Sequence, residues 1–172
     1  ANRGLVLAIA HDLTGNPAYR QGAIDAMDYL LGRNALDQSY VGGYGARPLL
    51  YPHHRFWAAG ADPEFPPAPP GALSGGANAT NMSDPVASEM QGQCAPQTHW
   101  VDDYRAYALN EDAINWNAPF FWLPAWPDTT SPTGRRRPVA GHHLIVPTPL
   151  TQNFCTNSHG SPHHDTTIRT SH

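Results

Sequence analysis

Apolar residues recur four apart near the start of the chain. Leu5, Ile9 and Leu13 fall on one face of residues 2 to 14, and Gly15 follows as a stop, so the spacing predicts the end of a helix. From Asn16 the pattern restarts. Pro17 suits a first helical turn, and Tyr19, Ala23, Ile24, Met27, Leu30 and Leu31 form an apolar stripe ending at Gly32, which predicts a helix over 17 to 31. A hairpin of two helices joined at Gly15-Asn16 buries only one side of itself and needs neighbours. From Arg33 to about Tyr107 the helical period is lost. Gly42, Gly43, Gly45, Pro48, Pro52, the run FPPAPPG and Ser74-Gly75-Gly76 punctuate this stretch, which is expected to form binding loops. Asn117 is then placed to cap a helix with Pro119 in its first turn, and Pro124 and Pro127 should cut that helix short. The pattern is all-α with long loops. After Ser131 the apolar period disappears, and residues 131 to 172 carry six of the ten histidines and Arg135-Arg136-Arg137, the composition of a linker or disordered tail.

Composition narrows the partners. The 172 residues suffice for one domain with a modest core. The formal net charge is −4 and every one of the ten positive residues is arginine, so a broad polyanion-binding surface, and with it nucleic acid, is not expected. No apolar run approaches the roughly 20 residues that cross a bilayer, which argues against a membrane partner. The N-terminal ANRGLVLAIAHD lacks the basic flank and cleavage site of a signal peptide, so any export signal is expected outside this chain. Two cysteines, Cys94 and Cys155, allow one bridge but no disulfide framework.

Two stretches carry candidate chemistry. In the first, Asp102, Asp103, Glu111 and Asp112 are interleaved with Trp100, Tyr104, Tyr107, Trp116 and Phe120. Sugars present apolar C–H faces that stack on rings and hydroxyl edges that bond to carboxylates, so a polysaccharide cleft needs both residue types together. A solvated acidic turn beside core aromatics has the same composition. The second is Tyr51-Pro52-His53-His54-Arg55-Phe56-Trp57. Adjacent histidines on an extended segment point to opposite faces, which argues against a shared metal; one can face a cleft while the other packs.

These two stretches, SYVGGYGARPLLYPHHR and WVDDYRAYALNEDAINWNA, resemble the two sequence motifs of glycoside hydrolase family 9 cellulases. The first ends in Pro52-His53-His54-Arg55 and departs once, at Gly42, where a small β-branched or hydroxyl residue is usual. In the second, Trp100, Asp102, Tyr107, Glu111, Ala113 and Asn117-Ala118 satisfy every position. The resemblance spans about residues 2 to 126 and includes AMDYLLGRN, LSGG, DPVASE and CAPQT. It implies the C-terminal part of an (α/α)6 barrel over residues 1–130, from a secreted, monomeric endo-1,4-β-glucanase that inverts the anomeric centre and acts on cellulose or soluble β-glucan. A non-catalytic β-glucan-binding piece is the alternative.

By the same resemblance Glu111 is the general acid, with His53 and Asp102 as further catalytic positions. Arg55, His54, Trp57, Trp100, Tyr107 and Trp116 are implied to bind substrate. Asp102 is expected to orient Arg55 or the acid loop. Glu111 must hold its proton near neutral pH, and burial by Trp100, Tyr107 and Trp116 together with nearby carboxylates is expected to help it do so. The family's catalytic base is an aspartate from an upstream Asp-rich motif not found among these residues, so the piece alone is expected to fold poorly, expose apolar helix faces and hydrolyse little. No cofactor is required for the chemistry. A structural calcium near Asp84 and Glu89 is conceivable but cannot be assembled from the sequence. Cys94 is expected to be free and packed, because a cysteine common in relatives is His99 here. Asn78 and Asn81 begin glycosylation patterns, and His142-His143, His163-His164 and Cys155/His159 have zinc-like spacings without preset geometry.

Overall fold

The computed structural model of the chain describes residues 1–129. The expected tail, its zinc-like spacings and Cys155 lie outside the described residues. Six helices follow in order: α1 (Asn2–Thr14), α2 (Pro17–Leu30), α3 (Ala87–Met90), α4 (Tyr107–Asn110), α5 (Ile114–Trp122) and α6 (Trp126–Thr129). Among the described residues the only β-structure is a set of isolated bridges, and no helix is long and apolar enough to cross a membrane.

The hairpin of α1 and α2 forms where the sequence predicts it. Gly15 adopts φ 68° and its N–H returns to the His11 carbonyl, ending α1 in the left-handed geometry that glycine tolerates best. Asn16 caps α2 by accepting from the Ala18 N–H at 3.0 Å, with Pro17 at the first helical position. The helix stops at Leu30, one residue short of the predicted end, and Asn34 folds the chain back by donating to the Tyr29 and Gln38 carbonyls.

The packed face of α1 differs from the predicted stripe. Gly4 and Ala8 are buried, whereas Leu13 is 80% exposed and Ile9 46% exposed. The reason is close approach: a Cβ on Gly4 would stand 2.6 Å from Leu123 and 3.3 Å from Ala26, so small residues, not large ones, mark the contact. Val6, Ile9 and Leu13 of α1 face outward, as do Ile114 and Phe121 of α5, each of the latter two 88% exposed, while Leu7 packs against the buried cluster.

α5 also starts earlier than predicted. Ala113, not Asn117, occupies its N-cap, and Pro119 lies inside the helix. Proline removes the N–H that would satisfy the carbonyl four residues back. That carbonyl, on Asn115, instead accepts from the Asn2 side chain at 3.1 Å, which ties α1 to α5.

The core is built largely by loops. Leu36, Tyr40, Val41, Leu49, Leu73, Trp100, Leu109 and their neighbours form one buried cluster, and Ala8, Ala23, Leu123 and Trp126 form a smaller one beneath the hairpin. Bridges pair Val41 with Leu73, Gly42 with Leu49, His53 with Glu111 and Ser74 with Asp112. Buried backbone groups thereby find partners without regular strands. Cys94 is disulfide-bonded, which corrects the expectation of a free thiol.

Candidate functional site

The segment leading to His53 and the segment carrying Glu111 run side by side. The His53 N–H donates to the Asn110 carbonyl and the Asp112 N–H donates to the His53 carbonyl, both at 3.3 Å, so His53 and Glu111 are paired in parallel register. Two further ties fix this register. Asp102 accepts from the Leu50 and Tyr51 N–H groups at 2.7 and 2.8 Å, one per carboxylate oxygen. Asn110, fully buried, donates to the Tyr51 and Asp103 carbonyls. On the other side of the acid segment the Gly75 N–H donates to the Glu111 carbonyl at 2.9 Å.

The adjacent histidines occupy opposite tautomers. His53 Nδ1 lies 2.8 Å from the Tyr104 carbonyl. A carbonyl only accepts, so Nδ1 carries the hydrogen and Nε2 of the neutral ring is the open acceptor. His54 Nδ1 instead accepts from the Phe56 and Trp57 N–H groups at 3.2 and 3.3 Å, so its hydrogen is on Nε2. The His54 ring also stacks on Trp57 at 4.0 Å between centroids. It thus builds the turn that presents Arg55, which is exposed, while His53 packs beside Tyr104 and Tyr107.

A cleft of about 450 Å³ opens beside Glu111, bounded by Tyr107, Trp116, Leu109, Gly75, Gly76 and Asn78 among others. A Cβ on Gly75 would approach the Leu109 carbonyl to 2.9 Å and the Trp116 ring to 3.3 Å, so glycine is what lets that wall close. The electrostatics vary along the acidic stretch. Burial pushes the Asp102 carboxyl up to about 6, against the pull of the Tyr51 and Leu50 amides. The Arg105 side chain holds Asp103 below the usual carboxylate range. Burial pushes Asp112 upward, opposed by the Asn117 amide and by His54.

Residues 1–124 match the sequence profile described as Glycosyl hydrolase family 9. The chain belongs to this family. Its curated relatives include a cellulose 1,4-beta-cellobiosidase of Acetivibrio thermocellus, 44% identical over 74% of this chain and 14% of that protein. Endoglucanase C of Cellulomonas fimi is 39% identical over 81% of this chain and 14% of its own length. Among solved structures, a family 9 endoglucanase named J30 aligns with a TM-score of 0.62 at 33% identity, covering 72% of this chain and 22% of that one. The chain therefore spans about one seventh of the curated relatives it matches first.

Within this family 9 chain, the structure brings His53, His54, Arg55 and Trp57 onto one turn, and His53, Tyr107 and Glu111 into one neighbourhood. Trp116 and Tyr107 line the cleft with Glu111. Three expectations need correction. Trp100 is 6% exposed, packs edge-on against Tyr40 and donates from Nε1 to the Gly75 carbonyl, so it supports the cleft floor from within the core. Of the two roles expected for Asp102, orienting Arg55 does not hold, because its oxygens accept from the Leu50 and Tyr51 N–H groups, bonds that instead tie down the segment leading to Glu111. Glu111 is exposed along the cleft rather than buried by Trp100, Tyr107 and Trp116.

Asp84 and Asn78 also act structurally. Asp84 is buried, caps α3 through Val86 and Ala87, and accepts from the Ala108 N–H, which uses the oxygens that a calcium ion would need. Among the described residues no group of three His, Cys, Asp or Glu is placed to hold a metal ion. The Asn78 amide donates to the Asn81 and Ala108 carbonyls, a role incompatible with carrying a glycan. One positioning residue, Asn110, escaped the sequence reading of the site and gave no signal beyond its place beside Glu111. Asn117, a motif position also read as a cap, clasps Leu73 through both its N–H and its carbonyl.

Proposed function

We propose that this chain supplies the acid side of an inverting glycosidase site that cleaves internal β-1,4-glucosidic bonds of cellulose and related β-glucans. The observation that supports this reading is the cleft that Glu111 shares with the rings of Tyr107 and Trp116, together with the in-register pairing of Glu111 with His53 on the neighbouring segment. Glu111 protonates the departing glycosidic oxygen. The bare Nε2 of His53 accepts from a sugar hydroxyl, and Arg55 donates to hydroxyls from its exposed turn. Trp57, Tyr107 and Trp116 offer rings to C–H faces, while His54 shapes the turn as well as lining it.

Inversion needs a second carboxylate roughly 6.5 to 9.5 Å from the acid, across the sugar. Asp102 is committed to the backbone and Asp103 to Arg105. Asp112 bonds to Asn117. The family resemblance implies that the base is an aspartate from another part of the catalytic domain. In this reading residues 1–130 are the C-terminal part of an (α/α)6 barrel, and the outward apolar side chains of α1 and α5 are covered by its other helices. The disulfide at Cys94 favours an oxidising, extracellular setting.

The test is Glu111→Gln in the full-length protein. Hydrolysis of carboxymethylcellulose should fall by about a hundredfold or more, with binding to the polymer retained. Unchanged hydrolysis would overturn the assignment. Glucan binding by the unsubstituted full-length protein without release of reducing ends would favour the non-catalytic reading instead.

A further inference from the structure

The His53 to Glu111 pairing has a reverse face. Successive residues on extended, paired segments point to opposite sides, so with His53 and Glu111 on one side, His54 and Asp112 share the other. Asp112 Oδ1 accepts from the Asn117 amide, whereas Oδ2 is buried and has no hydrogen-bond partner among the described residues. Asn117 in turn clasps the backbone of Leu73 on both sides, and Ser74 is bridged to Asp112. One carboxyl group thus links α5, the Leu73–Gly75 wall and the segment of the acid, and it faces the histidine that builds the Arg55–Trp57 turn.

We infer that Asp112 is a positioning residue for Glu111: from behind the pairing it fixes the acid against the cleft wall and the Arg55–Trp57 turn. It touches no substrate. The inference rests on Glu111 being the acid, and its prediction is specific to proton delivery. A misplaced acid slows cleavage of an ordinary glycosidic bond, whose leaving oxygen must be protonated, but not of an activated aryl glycoside, whose phenolate departs unaided. A loosened fold slows both.

Three variants of the full-length protein separate these outcomes. Asp112→Ala should fold, because Asn117 keeps its bonds to Leu73 and Ala113 and the backbone pairing is untouched. Its kcat on carboxymethylcellulose should fall about tenfold with KM nearly unchanged, while turnover of 2,4-dinitrophenyl β-cellobioside stays within about twofold. Asp112→Asn retains an acceptor for Asn117 and should recover most of the lost rate. Equal losses on both substrates, no loss on the polymer, or no recovery in Asp112→Asn would overturn the inference. Glu111→Gln serves as the control: if it still cleaves the polymer, the reading of the acid fails, whatever Asp112 does.

Discussion

Asp102 gives the sharpest test of how the two motifs are joined. Its carboxyl is held between opposing influences, with burial pushing it up from 3.8 to about 6 while the Tyr51 and Leu50 amides pull it down. The folded protein therefore keeps this proton to a higher pH than the unfolded chain does. Between about pH 4 and pH 6 the native state binds more protons, so stability falls as pH rises through that window and levels off above it. The distance from 3.8 to about 6 corresponds to about 3 kcal/mol, an upper figure for one group. Asp102→Asn removes the titration while preserving shape. Urea unfolding of the full-length protein and of this variant, repeated from about pH 4 to pH 7, should show the unsubstituted protein losing up to about 3 kcal/mol relative to the variant. Parallel curves would mean that Asp102 is solvated, and the argument that it staples the Leu50-Tyr51 backbone from a dry position would fail.

Other substitutions probe the same construction. Asn110→Ala orphans the Tyr51 and Asp103 carbonyls and leaves a void at a fully buried site, so it should cost about 2 to 4 kcal/mol by chemical unfolding. Gly75→Ala drives a methyl group against the Leu109 carbonyl and Trp116, and should destabilise by about 1 to 3 kcal/mol with altered Trp fluorescence at the cleft. Trp57→Ala removes the ring stacked on His54 and should raise KM for soluble glucan more than it lowers kcat. Arg105→Ala frees Asp103 from an exposed partner, and should leave the thermal unfolding midpoint nearly unchanged.

Where sequence reading succeeded, the determinants were local. Gly15, Asn16 and Pro17 state the end of one helix and the start of the next within three residues. The loops from Arg33 onward are equally legible from their glycines and prolines. The misreadings share a different cause, which is that their determinants are distant in sequence. The buried side of α1 is decided by Leu123 and Ala26 meeting Gly4, a contact no periodicity contains. Asn117 looks like a cap until Leu73 is brought beside it. Trp100 fits a sugar-binding platform by composition, and only its packing on Tyr40 places it inside. The candidate site residues come from motif spacing, while the bonds of Asp102, Asn110 and Asp112 around them required the fold.

The bridges that align the acid use residues 41 to 53, 73 and 74, and 111 and 112, leaving the span from Phe56 to Ala68 outside every one of them. Trp57, Ala58 and Gly60 pack against His54, Tyr51 and Tyr104 or into the interior, so only the exposed tip over residues 61–67 is free to change without disturbing those paired segments. Under the proposed function, drift in which polymers are accepted can then accumulate in that surface tip while the paired segments are inherited intact, and the same tip is where a designer would begin.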